Sequence, residues 1–546
     1  MIPDRTERLR PLDLLLLALL AAALFLPGQA GLPPLDRDES RYAVAVTQML
    51  TTADLIDIRY QDTARWLQPA GIYWLQSLSV TLFGAMGEIW AHRVVSLLGA
   101  IAAVLLTAWL GARLYGRDAG LMAGAVLSAC LVLGVEARMA KIDATMLAVV
   151  IAAQSALLLL YLDRTARPAL AAAVLWAALG VGLMLKGPIP TMVTVLTAAA
   201  ISLWNREAAW LKRLRAHWGV PLMLAIVLPW LLAIVIRTEG AFLSEAIGHS
   251  MLGKVADGQQ GHGAPPGYHL LAYSIAFWPA SLFFVLALPW VWANRQDRLV
   301  RALVCWVVPT WVVFEIVVTK LPHYTLPTYP ALAILAGAAL SAGAARLPEG
   351  RWRWLGVAIL GVWLLVAAAL ALFGPVLAFL VEARVDWPAL AAALVALGLM
   401  ALAVRYLRRA DVRRCLAASV GAAATIWIVT FGHTLPGIHA LWLSPRIAEA
   451  AAAAVACRDP VLVTQPYHEP SLVFLHGPYR TRLVTSAAQA AAAFREAPCA
   501  VAAMGEREEA AFLAAVGEEL RRAGTVEGRN YSNGRFYRVT IFARPQ

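Results

Sequence analysis

The stretch Leu35-Asp36-Arg37-Asp38-Glu39-Ser40-Arg41-Tyr42 carries five charged residues in eight, in a chain where 15% are charged. Paired acids followed by Arg and Tyr, at the mouth of a membrane bundle, suit the polar end of a lipid-linked substrate. A carboxylate placed there can take a proton from a hydroxyl. The competing assignment is structural. Asp36 or Asp38 caps a helix expected over 39–50, where acids also suit the positive helix end. Capping leaves Arg41 and Tyr42 without a task.

Other candidates stand at the ends of apolar runs. Arg138, Lys141 and Asp143 lie in or next to the short loop 134–143, Lys186 in Leu185-Lys186-Gly187-Pro188, and Lys320 in Thr319-Lys320-Leu321-Pro322-His323-Tyr324. Lys supplies a point charge and Arg a planar donor fork for phosphate. The alternatives are snorkelling and pairing with a local acid, such as Arg138 with Glu136. Asp143 opens an apolar run, as a helix cap or as a functional acid. Loop 237–273 holds His249, Lys254, His262 and His269 around a Gly/Pro-rich part, 258–267. Their spacing matches no standard zinc pattern, so no metal ligand is assigned, and a divalent metal stays an open question.

What must position these residues is a membrane bundle. The chain is 60% hydrophobic with a mean hydropathy of +0.67, and runs of roughly twenty apolar residues recur, the length that crosses a bilayer. Spans are expected near 12–30, 92–111, 119–135, 143–161, 169–185, 188–204, 218–236, 274–292, 299–317, 325–343, 352–372, 386–405 and 414–432. The first, preceded by Arg5, Arg8 and Arg10, resembles a signal peptide without a cleavage site and is read as an uncleaved span. Alternate loops are basic, and with thirteen spans they share one side with the N-terminus, the cytoplasmic side by the positive-inside rule. Loops 31–91 and 237–273 and the C-terminal tail then lie outside, and Arg138, Lys141, Lys186 and Lys320 depart from the rule by lying there too. The +12 balance reads as topology, and no nucleic-acid module is present.

Loop 31–91 is expected to hold two helices in the membrane interface, 41–50 and 69–82, joined by a polar link, 57–69. From residue 433 the character changes. Strands at 461–463, 482–484, 499–503 and 537–543 alternate with helices at 470–475, 486–496 and 506–522, giving a small α/β domain. It has no nucleotide fingerprint and no nucleophile elbow. The division is thus 1–432 for the membrane domain and 433–546 for the external domain. Cys457 and Cys499 both fall in the external domain, where a disulfide is chemically permitted.

Five stretches together resemble a known family. They are Asp38-Glu39-Ser40-Arg41-Tyr42-Ala43, Gln68-Pro69-Ala70-Gly71-Ile72-Tyr73-Trp74, Arg138-x-x-Lys141-x-Asp143, Lys186-Gly187-Pro188 and Lys320-Leu321-Pro322-His323-Tyr324-x-Leu326-Pro327. In that order they resemble the lipid A aminoarabinose transferase group of the protein O-mannosyltransferase-like membrane glycosyltransferases. The resemblance implies about thirteen spans and an active site between a bacterial inner membrane and the periplasm. It also implies a polyprenyl-phosphate-linked sugar donor and inversion at the anomeric carbon; the expected acceptor is an envelope component, lipid A/lipopolysaccharide, another glycolipid or a protein. Asp38 matches the family's key acid and Asp143 its second. Lys186, Lys320 and Tyr324 match residues near the donor phosphate or sugar. Glu39, Arg41, Tyr42, Gln68, Arg138, Lys141 and His262 complete the candidate substrate-binding set. One departure stands out. The family often has a charged residue and then Lys before the Pro of the second interfacial helix, where this chain has Leu67-Gln68-Pro69. That removes a charge and one possible metal ligand, and leaves sugar and acceptor generic.

Two other classes compete. A flippase of lipid-linked sugar would place polar residues near mid-membrane and often shows inverted repeats, whereas the charges here cluster at the outer ends. A membrane scaffold would make the loop acids mere caps, and Asp38→Asn would then leave function intact.

Overall fold

The computed structural model describes residues 8–246 and 263–545. Among these, eight helices are long and apolar enough to cross a membrane, and the pair Tyr268–Ala276 with Ala280–Ala293, bent by 117°, makes a ninth when taken as one span. Three shorter apolar helices, Pro11–Phe25, Ile189–Asn205 and Leu326–Ser341, fall on further expected spans. The remaining one, 119–135, is two helices, Arg117–Ala129 and Leu131–Glu136, broken at Cys130. The chain is a multi-pass membrane protein.

The two breaks answer each other. Helix Tyr268–Ala276 ends and the chain bends before Ala280, so the carbonyls at the bend have no partner within a continuous helix. The Cys130 thiol donates to the Ala276 carbonyl at 3.1 Å, and the Leu131 amide to the Trp278 carbonyl at 3.2 Å. Elsewhere, small residues let helices close in, as membrane packing favours. A Cβ on Gly337 would sit 2.4 Å from the Ala119 carbonyl oxygen, and one on Gly120 2.4 Å from that of Ala108.

The first loop holds the two expected helices, Asp38–Thr52 and Gly71–Phe83, while the polar link between them forms a small hairpin of β1 (Arg59–Tyr60) and β2 (Thr63–Ala64) that was not expected. Arg37, just before Asp38, takes a left-handed φ of 69°. Such a backbone is strained for a residue with a side chain and persists only where its surroundings hold it.

The C-terminal part is a five-stranded mixed sheet, β3 (Val461–Gln465), β4 (Thr481–Leu483), β5 (Ala500–Gly505), β6 (Arg521–Arg529) and β7 (Phe536–Ala543), in the order β4-β3-β5-β7-β6. Strand alternation splits its apolar residues. Leu462, Val501, Ala503, Val539 and Ile541 pack on helix Leu443–Ala453, while Val463, Ala502, Met504 and Phe542 pack on helices Ala487–Glu496 and Glu509–Val516. Cys457 and Cys499 are disulfide-bonded. Helix Leu443–Ala453 and strand β6 have no counterpart in the sequence reading. The helix over 506–522 stops at Val516, because Gly517 at φ +68° caps it, and β6 follows. It is an edge strand with most residues at least half-exposed, so it lacks the apolar alternation that marks a strand.

This unit docks on the first loop. Val473 and Phe474 of helix Pro470–His476 pack with Ala43, Val44, Ile89 and Ala140. The Gln61 amide donates to the Thr481 carbonyl at 2.9 Å. Asp36 is held from above: its amide donates to the Tyr531 hydroxyl at 2.6 Å, and its carboxylate accepts from the Ser471 hydroxyl.

Candidate active site

Asp38 opens its helix with a half-exposed carboxylate, 4.0 Å from Arg41. It is close enough to Lys141, Arg65, Tyr73 and Tyr324 to act on each electrostatically. Behind it lies a tight group. Asp143 forms a close ion pair with Lys186 and a looser one, 3.7 Å, with Lys141. Lys141 also pairs with Glu136 at 3.2 Å. His323 bridges the two acids, Nδ1 lying 3.4 Å from Glu136 and Nε2 3.8 Å from Asp143. Burial pushes His323 down to about 3, outweighing the pull of Asp143, with Lys141 and Lys186 adding to the fall. A neutral imidazole has a single N–H to offer the two acids.

Tyr324 stacks edge-on against His323 with ring centroids 5.2 Å apart. Burial and the carboxylates of Asp143 and Asp38 raise its phenol to about 12, so it stays protonated as a donor. Tyr42 and Tyr73 form a second wall, their centroids 5.3 Å apart. Arg65 lies 4.8 Å over the Tyr42 ring and donates to the Tyr73 hydroxyl at 3.0 Å. Lys320 is buried and donates to the Val317 carbonyl.

The structure thus brings Asp38, Arg41, Tyr42, Lys141, Asp143, Lys186 and Tyr324 to one end of the bundle. Two candidates are engaged in the scaffold instead. Glu39 is wholly buried in a two-pronged pair with Arg93, 2.8 Å on each prong, and also accepts the Ala140 amide. Arg138 turns away from the group. It donates to the carbonyls of Pro27, Gly134 and Leu24 and stacks on Phe431 at 4.3 Å, and its expected partner Glu136 goes to Lys141. Gln68 is half-buried with its carbonyl oxygen unpartnered. His262 lies outside the described residues. Sequence reasoning passed over Glu136, His323 and Arg65 as site residues, although the first two adjoin the motifs that were singled out.

Glu136, Asp143 and His323 offer three ligand atoms within 4.8 Å of one another, a donor set that suits zinc or manganese. Both carboxylates already hold ammonium groups, however, so a cation would have to displace Lys141 and Lys186. Asp38, Glu136 and Asp143 face Lys141, Lys186, Arg41 and Arg65, an excess of one positive charge. A field of that sign favours a phosphate and the negative charge a departing phosphate gains.

Comparison with known proteins agrees with the motif resemblance. Residues 68–232 match a family model described as dolichyl-phosphate-mannose-protein mannosyltransferase. The undecaprenyl phosphate-alpha-4-amino-4-deoxy-L-arabinose arabinosyl transferase 1 of Pseudomonas fluorescens is 30% identical over 342 residues, 61% of this chain and 60% of that protein. A Pseudomonas aeruginosa protein named as the same transferase is 29% identical over 345 residues, with coverage of 61% and 60%. The matched stretch thus spans about 60% of the length of these curated relatives. The crystal structure of ArnT from Cupriavidus metallidurans bound to undecaprenyl phosphate superposes with a TM-score of 0.77 at 23% identity, covering 97% of this chain and 99% of that one. The chain shares that fold, and it resembles the aminoarabinose transferases and, more broadly, the protein O-mannosyltransferase-like membrane glycosyltransferases.

Proposed function

We propose that this chain is a bacterial inner-membrane glycosyltransferase that moves a sugar from a polyprenyl-phosphate donor to an envelope glycolipid, on the periplasmic face and with inversion. Thirteen spans, a membrane domain of 1–432 and a periplasmic α/β domain of 433–546 complete the architecture. The observation that carries the reading is the division of charge at the site. Two acids are locked to lysines inside a positive field, while a third, Asp38, stays open at its mouth.

The donor phosphate lies among Lys141, Lys186 and Lys320. As the bond from the anomeric carbon to the phosphate oxygen breaks, the phosphate leaves with the electron pair, and the ammonium groups stabilise the gathering charge. The acceptor oxygen bonds to the anomeric carbon from the opposite face. A hydroxyl acceptor gives its proton to Asp38 as general base; a phosphate acceptor is already anionic, and Asp38 then orients it or the sugar. Glu136, Asp143 and His323 hold Lys141 and Lys186 in place.

The test is transfer of radiolabelled sugar from polyprenyl-phosphate donors to an envelope lipid extract, by wild type and by Asp38→Asn. The expected result is labelled lipid with wild type and a loss of about 10²–10⁴-fold with Asp38→Asn, donor binding being kept. No product with any donor, together with donor movement across proteoliposomes, sinks the enzyme reading in favour of a flippase.

A further inference from the structure

A second charged cavity lies at the far end of the bundle. Helix Arg353–Glu382 runs 30 residues, about 45 Å. Its last residue, Glu382, accepts the Ala440 amide at 3.1 Å, next to the C-terminal unit. Its first residue, Arg353, therefore stands at the opposite membrane face from the candidate active site. Helix Trp387–Arg408 runs back and brings Arg408 to the same end. Between these ends and the segment 345–350 is a cavity of about 580 Å³ whose charged lining is Arg346, Glu349, Arg353 and Arg408.

Three features say what fits there. First, Arg353 and Arg408 have no hydrogen bond or ion pair with protein among the described residues, although Glu349 lines the same cavity; Arg346 donates only to the Gly343 carbonyl, at 3.2 Å. Three guanidiniums against one carboxylate leave an anion-binding excess, and guanidinium forks match phosphate oxygens. Second, the rest of the lining is largely apolar, and it includes Val357, 65% exposed on the outer surface of the bundle. The cavity thus continues into the face that meets lipid chains. Third, Trp352 and Trp354 flank it, 51% and 63% exposed, which is where tryptophans sit at headgroup depth. A soluble anion would use the first feature alone; a phospholipid uses all three.

We propose that this cavity binds the headgroup of an anionic glycerophospholipid, its phosphate on Arg353 and Arg408 with Arg346 at the rim, and an acyl chain along Val357. Basic pockets between membrane helices take anionic lipids by this chemistry. The site is separate from the transferase reading and stands or falls without it.

The full-length protein would be reconstituted in phosphatidylcholine nanodiscs with and without phosphatidylglycerol, as wild type, R353Q, R408Q and the double variant. Native mass spectrometry reads lipid retained on release. Wild type should keep phosphatidylglycerol over phosphatidylcholine, and each arginine lost should weaken retention roughly tenfold, the size of one charge-assisted hydrogen bond. Both side chains are exposed, so melting in phosphatidylcholine alone should match wild type in every variant. Equal retention by wild type and double variant, or retention by neither, overturns the proposal. Displacement of the lipid by inorganic phosphate also overturns it, in favour of a soluble anion.

Discussion

Docking of the C-terminal unit on the first loop should weaken as pH rises, through Asp36. Burial, and then the nearby Glu469 carboxylate, lift Asp36 from 3.8 to about 7, against the pull of Ser471, Arg37 and Tyr531. The folded value is raised, so the docked state holds the proton more tightly than the undocked one. The stabilisation is therefore complete below about pH 4 and is lost as pH climbs through about 7. A rise of that size corresponds to roughly 4 kcal/mol at most; the residual solvent exposure of Asp36 reduces the measurable part to about 1–2 kcal/mol. Asp36→Asn keeps an oxygen for the Ser471 hydroxyl and cannot ionise. Hydrogen exchange over 36–40 and 469–474, followed from about pH 4 to pH 8 and corrected for intrinsic rates, measures the effect. Wild type should lose protection across that window, and Asp36→Asn should not. Above neutrality the variant should exchange roughly 5–30-fold more slowly. The same slope in both proteins, or none in wild type, refutes the assignment to Asp36.

Three further outcomes follow from the ion pairs. Lys186→Gln leaves Asp143 buried beside weaker partners, which should cost about 3–5 kcal/mol of stability and also weaken polyprenyl-phosphate binding. Adding Asp143→Asn should restore the melting temperature but not the binding, and recovery of both would remove Lys186 from the phosphate site. Arg93→Met strands Glu39 in the core and should lower stability by about 3–5 kcal/mol, whereas Arg41→Ala should leave melting unchanged and reduce transfer. Equal melting losses would make Arg41 structural. Chelator treatment should leave transfer unchanged, because Lys141 and Lys186 already occupy the acids; loss of transfer that zinc or manganese restores would turn Glu136, Asp143 and His323 into metal ligands.

The helices were legible because a bilayer imposes a length and a composition on each span. Most of the small C-terminal elements were legible by periodicity; helix Leu443–Ala453 was missed, as was β6, whose charged, exposed residues carry no apolar rhythm. Its signal was Gly517, a natural helix stop before the expected end. The candidate site was legible where a cation broke the topology rule: Lys141 and Lys186 both lie in the group that the structure assembles. The same rule misplaced Arg138, three residues from Lys141, because the loop that separates them aims one side chain at Glu136 and the other at the carbonyls of Pro27 and Leu24. Glu39 carries the same lesson over a longer range. Its partner Arg93 lies 54 residues away, and no local pattern announces a pair closed by the fold. Contacts such as Asp36 with Ser471, separated by 435 residues, are further still from anything a sequence window can show.

Asp36, Arg37, Asp38 and Glu39 are consecutive, yet the two ends of the run are held by different parts of the molecule. The C-terminal unit holds Asp36 through Tyr531 and Ser471, and Ser532 accepts from the Arg37 guanidinium. Arg93, from helix Ile89–Tyr115, grips Glu39. Between two such anchors the backbone at Arg37 has little freedom, which explains how a left-handed φ persists at a residue that would relax if released. Asp38 sits between the anchors with its carboxylate half-exposed, and among the described residues its ion pair is with Arg41 at 4.0 Å. A proton acceptor needs this combination of a fixed position and an unoccupied carboxylate. The buried acids have the first without the second, because Lys141 and Lys186 fill them. The scaffold roles of Asp36 and Glu39 thus belong to the same argument as the chemical role of Asp38, since they determine where its carboxylate stands.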